Sequence, residues 1–215
     1  MKIIKSKPSL LITIAVILAA VSCAYALQTQ RPNKIKGVTV TSRRYEQKPD
    51  GTIVERGMQT TYISARGSWR TVKTAPNGNI EQLLVADPVR GGVFSIDTNK
   101  REAARLAGFT PKESSYFDAD GYRNNPQFAG EETLLGFKGF IQRVTTPEGK
   151  VESELTFIPE FDTLPVKEVH YLADGSKRIV EPVSISVGEP TPSHFQLPSD
   201  FQTRDALLDQ HTHEK

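Results

Sequence analysis

The chain has 215 residues, with 27 Lys+Arg against 25 Asp+Glu, four histidines and a single cysteine. That charge balance excludes a dedicated nucleic-acid surface, because no basic block stands out along the sequence. One cysteine excludes an internal disulfide framework and a multi-cysteine metal site.

The first seven residues carry Lys2, Lys5 and Lys7 and no acid. An apolar run of about a dozen residues follows over 10–21, ending in small residues at Ala24-Tyr25-Ala26. This is the pattern of a secretory signal peptide, cut after Ala26. The dense run is shorter than the ~18 residues expected of a spanning helix. An uncleaved anchor is one rival, since no charge intervenes between Lys7 and Arg31. A lipid tether is another, because Ala20-Val21-Ser22-Cys23 resembles a lipobox with Cys23 as the acylated residue. Cleavage removes three lysines and leaves 24 Lys+Arg against 25 Asp+Glu, so the excess of positive charge resides in the leader. The expected organisation is a signal over 1–26, a polar lead-in over 27–36, one β-rich domain over 37–203 and a polar tail over 204–215. The expected location is periplasmic or extracellular, with no transmembrane segment in the mature chain.

Alternation starts at Val38, with Val38 and Val40 facing one way and Thr39 and Thr41 the other. Four hairpin signals share one form: Pro49-Asp50-Gly51, Pro76-Asn77-Gly78, Pro147-Glu148-Gly149 and Ala173-Asp174-Gly175. Between them the pattern predicts strands over 52–65, 69–74, 80–86, 93–97, 133–145, 151–158, 166–173 and 177–187. Pro182 predicts an edge or a bulge within the last of these. Two-residue loops between neighbours make the sheet antiparallel. The middle, 99–132, reads as a long loop region in which 101–106 is a short helix or a further strand. Pro190, Pro192 and Pro198 frame an extended strap, followed by a fraying tail. The fold class is therefore mainly β: an antiparallel, strongly curved sheet, half-barrel or barrel, with little helix. With no long amphipathic helix to cover it, its single apolar face is expected to curl on itself beneath the middle loop and the strap.

Candidate chemistry is sparse. Asp118-Ala119-Asp120 with Asn124 and Glu131 resembles a calcium loop, but Tyr122 and Asn125 stand at positions three and six, where such loops need an oxygen ligand and glycine. The Asx-rich stretch reads as a turn. His211 and His213 lack a third ligand, and His170 and His194 have no nucleophile at a recognisable spacing. Glu131 and Glu132 are adjacent acids of the kind that is usually solvated. No catalytic residue, metal site or cofactor follows from the sequence. Tyr62, Trp69, Phe140, Phe157 and Tyr171 lie on strands and are candidates for lining a cavity.

Taken together, several segments resemble the periplasmic lipoprotein-carrier fold of outer-membrane lipoprotein-sorting proteins. These are Gly37-Val38-Thr39-Val40, Leu135-Gly136-Phe137-Lys138-Gly139-Phe140, Leu155-Thr156-Phe157-Ile158-Pro159 with Leu164-Pro165-Val166-Lys167, and Phe195-Gln196-Leu197-Pro198-Ser199-Asp200-Phe201. The last is similar to that family's closing strap. The resemblance implies a non-catalytic protein that holds a hydrophobic small molecule, a lipid or a lipidated protein in a curved cavity. The capping helices of that family are missing or much reduced. The alternative is a structural or interaction protein of the envelope with a filled core and no ligand.

Overall fold

The structure, a computed structural model, describes residues 33–111, 116–161 and 164–205. Residues 1–32, with Cys23 and the expected cleavage site at Ala24-Tyr25-Ala26, and the two tail histidines, His211 and His213, lie outside the described residues. The chain divides at Asn33 into two units, and the sheet belongs to the second, Lys34–Lys215. Its strands are β1 (Val38–Gln47), β2 (Ile53–Ile63), β3 (Trp69–Thr74), β4 (Ile80–Asp87), β5 (Gly92–Asp97), β6 (Glu102–Gly108), β7 (Phe128–Leu134), β8 (Phe137–Thr145), β9 (Val151–Phe157), β10 (Lys167–Tyr171), β11 (Lys177–Val187) and β12 (Gln202–Asp205). One short helix, α1 (Ala119–Arg123), precedes β7. The strands form one open, curved sheet in the order β12-β6-β5-β4-β3-β2-β1-β11-β10-β9-β8-β7. Every pairing is antiparallel except β12 on β6. The sheet thus consists of two meanders joined by β1 against β11.

The hairpin turns explain why neighbours pair so regularly. In each predicted turn the glycine amide donates three residues back, as from Gly51 to the Lys48 carbonyl at 2.9 Å and from Gly78 to the Ala75 carbonyl at 2.9 Å. The next ladder bond brackets the turn, as Lys48 N–H to the Thr52 carbonyl at 2.8 Å. The loops are therefore three residues long, not two. Each is a type I turn whose last residue takes a positive φ, +87° at Gly51 and +81° at Gly175, which glycine adopts without strain. Ala65-Arg66-Gly67 makes a fifth turn of the same kind, with Gly67 at +81°.

Several expectations change in detail. The predicted strand 133–145 is a hairpin, because Leu135 and Gly136 both take positive φ and split β7 from β8. The stretch 101–106 resolves as strand β6, and the long connection between β6 and β7 carries α1. Register shifts between Pro182 and Ser184, the bulge that Pro182 predicts. The strap ends in a short parallel edge strand, β12, which crosses the expected boundary between the β-rich domain and the polar tail at 203/204.

The largest correction concerns the apolar face. In-register partners share a face, and neighbours along a strand face opposite ways. Val38 pairs with Ile63, and these two join Val40, Ile158, Phe161 and Val166 in one buried cluster. Tyr62, next to Ile63, pairs with Arg70, Arg70 with Val85, and Val85 with Phe94. Val85 and Phe94 join Ala103 and Leu197 in a second cluster. The two clusters therefore occupy opposite faces of the sheet. The β9–β10 connection covers one with Ile158, Phe161 and Val166, and the strap covers the other with Leu197. Burial on both faces, each under a short segment with a single 3₁₀ turn, replaces the expected one-sided sheet.

Electrostatics fix the far end of the β1–β2 hairpin. Glu46 is buried and receives Lys48, Arg56 at 2.7 Å and, more distantly, Arg178 at 3.9 Å. Hydrogen bonds from Lys48 and then Arg56 hold its carboxyl at about 2. A carboxyl depressed below its unfolded value stabilises the fold above pH ~4.5, and that contribution is lost as pH falls toward ~2. The resistance of the wild type to urea should therefore fall as the pH drops from about 4.5 to about 2. Glu46→Gln should unfold more easily at pH 7 and show a shallower acid dependence, because its side chain has no charge to lose.

Candidate functional site

The strap is the element that makes a site. After β11 the chain turns over Pro192–Phe195 in a single 3₁₀ turn, with Phe195 buried. His194 stacks on Tyr62, ring centroids 4.2 Å apart and 13° from parallel. Ahead of it, the Glu189 carboxylate accepts the Ala65 amide at 2.9 Å. Behind it, the Leu197 amide donates to Asp87 Oδ2 at 3.0 Å. Arg90 reaches the Pro198 carbonyl at 3.4 Å, and Arg101 pairs with Asp200. β12 then runs along β6 from Gln202↔Glu102 to Asp205↔Arg105.

Asp87 is the central pin. It is 1% exposed, at the end of β4. Its Oδ1 accepts the Val89 and Arg90 amides at 2.8 and 3.0 Å, which closes the turn after Pro88. Its Oδ2 is left for Leu197, 110 residues further on. Three backbone donors satisfy one buried carboxylate, the condition for burying such a group at tolerable cost.

Between the strap and β3, β4 and β5 lies a crevice of about 490 Å³. Leu83, Val85, Ile96, Leu197 and Phe201 give it apolar walls, and Arg70 and His194 stand beside them. This volume falls within the ~300–1,000 Å³ of small-molecule pockets. A second crevice of about 420 Å³ lies beside α1, with Tyr122, Gln142 and Phe157 in its wall. There Tyr122 packs on Phe140 and Phe157 at 5.8 and 6.0 Å, and the Arg123 guanidinium lies 5.1 Å from the Phe140 ring.

The five aromatics that the sequence singles out are dispersed. Phe140 and Phe157 are register partners and share the α1 cluster. Tyr62 stacks with the strap on the side of the larger crevice. Trp69 pairs with Ile63 and so faces the other way from Tyr62. Tyr171 shares a face with Glu154, to which its hydroxyl donates at 3.1 Å, opposite to Phe157. Burial and that hydrogen bond raise the Tyr171 phenol.

The acidic stretch near α1 is occupied by protein partners. Asp118 caps the helix through the Asp120 amide at 2.9 Å. Arg123 binds Asp120 at 2.7 Å and Glu131 at 3.0 Å. Lys138, then Arg123, holds the Glu131 carboxyl below its ordinary range. Glu132 faces away from Glu131 and binds Lys167 at 2.7 Å. His170 meets Glu168 at 3.0 Å. Among the described residues no three His, Cys, Asp or Glu converge as metal ligands.

Sequence reasoning misses the residues that build the larger crevice. Arg70 reads as one polar residue in a strand, and Asp87 reads only as a strand end before proline. The run Leu83-Leu84-Val85-Ala86 breaks the two-residue period, and that is the one signal of burial on both faces here.

No protein-family model matches the sequence, and no curated protein matches it. Three solved structures align over most of the chain at low similarity. A LolA superfamily protein from Nitrosomonas europaea aligns with 75% of this chain and 90% of its own, at 9% identity and a TM-score of 0.39. A DUF1329 family protein from Desulfovibrio piger aligns over 79% and 92% at 12% identity and a TM-score of 0.24. A putative outer membrane lipoprotein-sorting protein domain from Vibrio parahaemolyticus aligns over 71% and 85%, at 6% identity and a TM-score of 0.24.

Proposed function

We propose that this chain is an exported, non-catalytic binding protein of the cell envelope. It holds a hydrophobic small molecule, a lipid or the acyl part of a lipidated protein in the crevice beneath the strap. The observation that carries this reading is the 490 Å³ space whose walls are Leu83, Val85, Ile96, Leu197 and Phe201. Apolar walls under a segment held mainly by polar pins suit an occupant that enters when the strap lifts. The leader pattern over 1–26 supports periplasmic or extracellular placement, and Cys23 is the residue that a lipid tether would use. Among the described residues no helix is long and apolar enough to cross a membrane.

Protein purified from its own envelope should release an apolar ligand on solvent extraction, and native mass spectrometry should show the bound and empty masses. The stripped protein should enhance the emission of a hydrophobic dye. Phe201→Glu, which places a charge on the half-buried wall of the crevice, should reduce that enhancement about fivefold or more. Protein that is empty as isolated and silent towards the dye would return the chain to the filled-core alternative.

A further inference from the structure

The crevice also constrains the head group of its occupant. Arg70 sits on β3 between Tyr62 and Val85 in register, on the face that the strap covers. Its Nε is closed to solvent and has no hydrogen-bond partner. Among the described residues the Arg70 side chain makes no hydrogen bond or ion pair, in a chain where most arginines on the sheet find a carboxylate, as Arg43 does in Glu55, Arg44 in Glu81 and Arg143 in Glu154. None of the twelve residues lining the crevice is acidic. A guanidinium is always charged, and its forked donors match a carboxylate or phosphate. A buried donor left unmet is rare in native proteins and points to a missing partner.

Resting on the reading of this crevice as a ligand site, we propose that the ligand is an anionic amphiphile. Its acid group, a carboxylate or a phosphate, meets Arg70. Its apolar chain lies along Leu83, Val85, Ile96 and Leu197. Ser193 and Gln196, on the strap side, supply neutral polar groups at the same crevice. The charged pair fixes which end of the chain is held, while the apolar walls supply most of the affinity.

The test is calorimetric titration of the stripped full chain with decanoate, decyl phosphate and decanol below their aggregation limits, and with inorganic phosphate. Thermal melts establish that Arg70→Gln and Arg70→Lys are folded. One or both ten-carbon anions should bind about tenfold or more tighter than decanol, the scale of one charge-assisted contact in a sheltered site. The tighter of the two identifies carboxylate or phosphate as the head group. Arg70→Gln should abolish the preference, bringing the anions down to the affinity of decanol in the same variant, and Arg70→Lys should recover part of it. Equal binding of anions and decanol by the wild type would overturn the anionic head group and leave the apolar site standing. An undiminished preference in Arg70→Gln would do the same. Inorganic phosphate binding as tightly as decyl phosphate would remove the chain from the proposal. Binding of none of the ten-carbon ligands would overturn this inference and the crevice reading together.

Discussion

Phe161→Ala should cost about 3–5 kcal/mol, measured as a fall in the urea midpoint at an unchanged slope. Phe161 is 0% exposed and meets Phe137 edge to face at 5.0 Å. It is held in a 3₁₀ turn by its amide bond to the Ile158 carbonyl at 2.9 Å. That turn is pinned to the segment before β1 by the Lys36 amide on the Glu160 carbonyl and by the Lys36–Glu160 pair. A side chain so fixed cannot be replaced by collapse of its neighbours, so most of the cavity persists. A small domain has only about 5–15 kcal/mol of stability, so the loss would be a large share of it. Leucine at the same position should cost much less, because it keeps most of the buried volume. The cluster around Phe161 lies on the face opposite the strap. In the fraction that stays folded, ligand binding under the strap should therefore be unchanged. A loss of affinity in parallel with stability would mean that the two faces are mechanically coupled.

Local geometry was the legible part of this fold. Asp50-Gly51 and Asn77-Gly78 announce turns because glycine supplies the positive φ and the Asx oxygen accepts an amide two residues on, Thr52 at 2.9 Å and Asn79 at 3.1 Å. Ala65-Arg66-Gly67 closes in the same way without proline or an Asx oxygen, so only its glycine marks it. Alternation reports which residues share a face, but not how many faces are covered. Val38, Val40 and Ile63 carry a clean signal, and they describe one cluster only. The second cluster rests on Leu197, which reaches Val85 and Phe94 from more than a hundred residues away. β12 carries the polar sequence Gln202-Thr203-Arg204-Asp205 and owes its conformation to backbone pairing with β6, for which side-chain periodicity gives no sign. The crevice is illegible for the same reason. Arg70, Val85 and His194 belong to three separate segments that only the folded sheet and strap bring together.

Asp87→Ala should release the strap. The substitution removes both oxygens that accept the Val89, Arg90 and Leu197 amides. Each buried donor left unmet costs about 1–3 kcal/mol, and the two in the turn can recover water more readily than Leu197 beneath the strap. A net loss of about 2–4 kcal/mol in global stability is expected. The local effect should exceed the global one. In the wild type the Leu197 amide should exchange with solvent hydrogen as slowly as the amides of β4, and in Asp87→Ala it should exchange at the rate of a surface loop. Asp87→Asn separates the two roles. Its amide oxygen can still serve Val89 and Arg90, while its NH₂ confronts the Leu197 N–H, donor against donor. This variant should keep the turn and most of the stability, yet lose protection at Leu197 and weaken ligand binding, since Leu197 forms part of the crevice wall. Slow exchange at Leu197 in both variants would mean that the stack of His194 on Tyr62 and the β12–β6 pairing hold the strap without Asp87. Opening of the crevice would then depend on the ends of the strap and not on its centre.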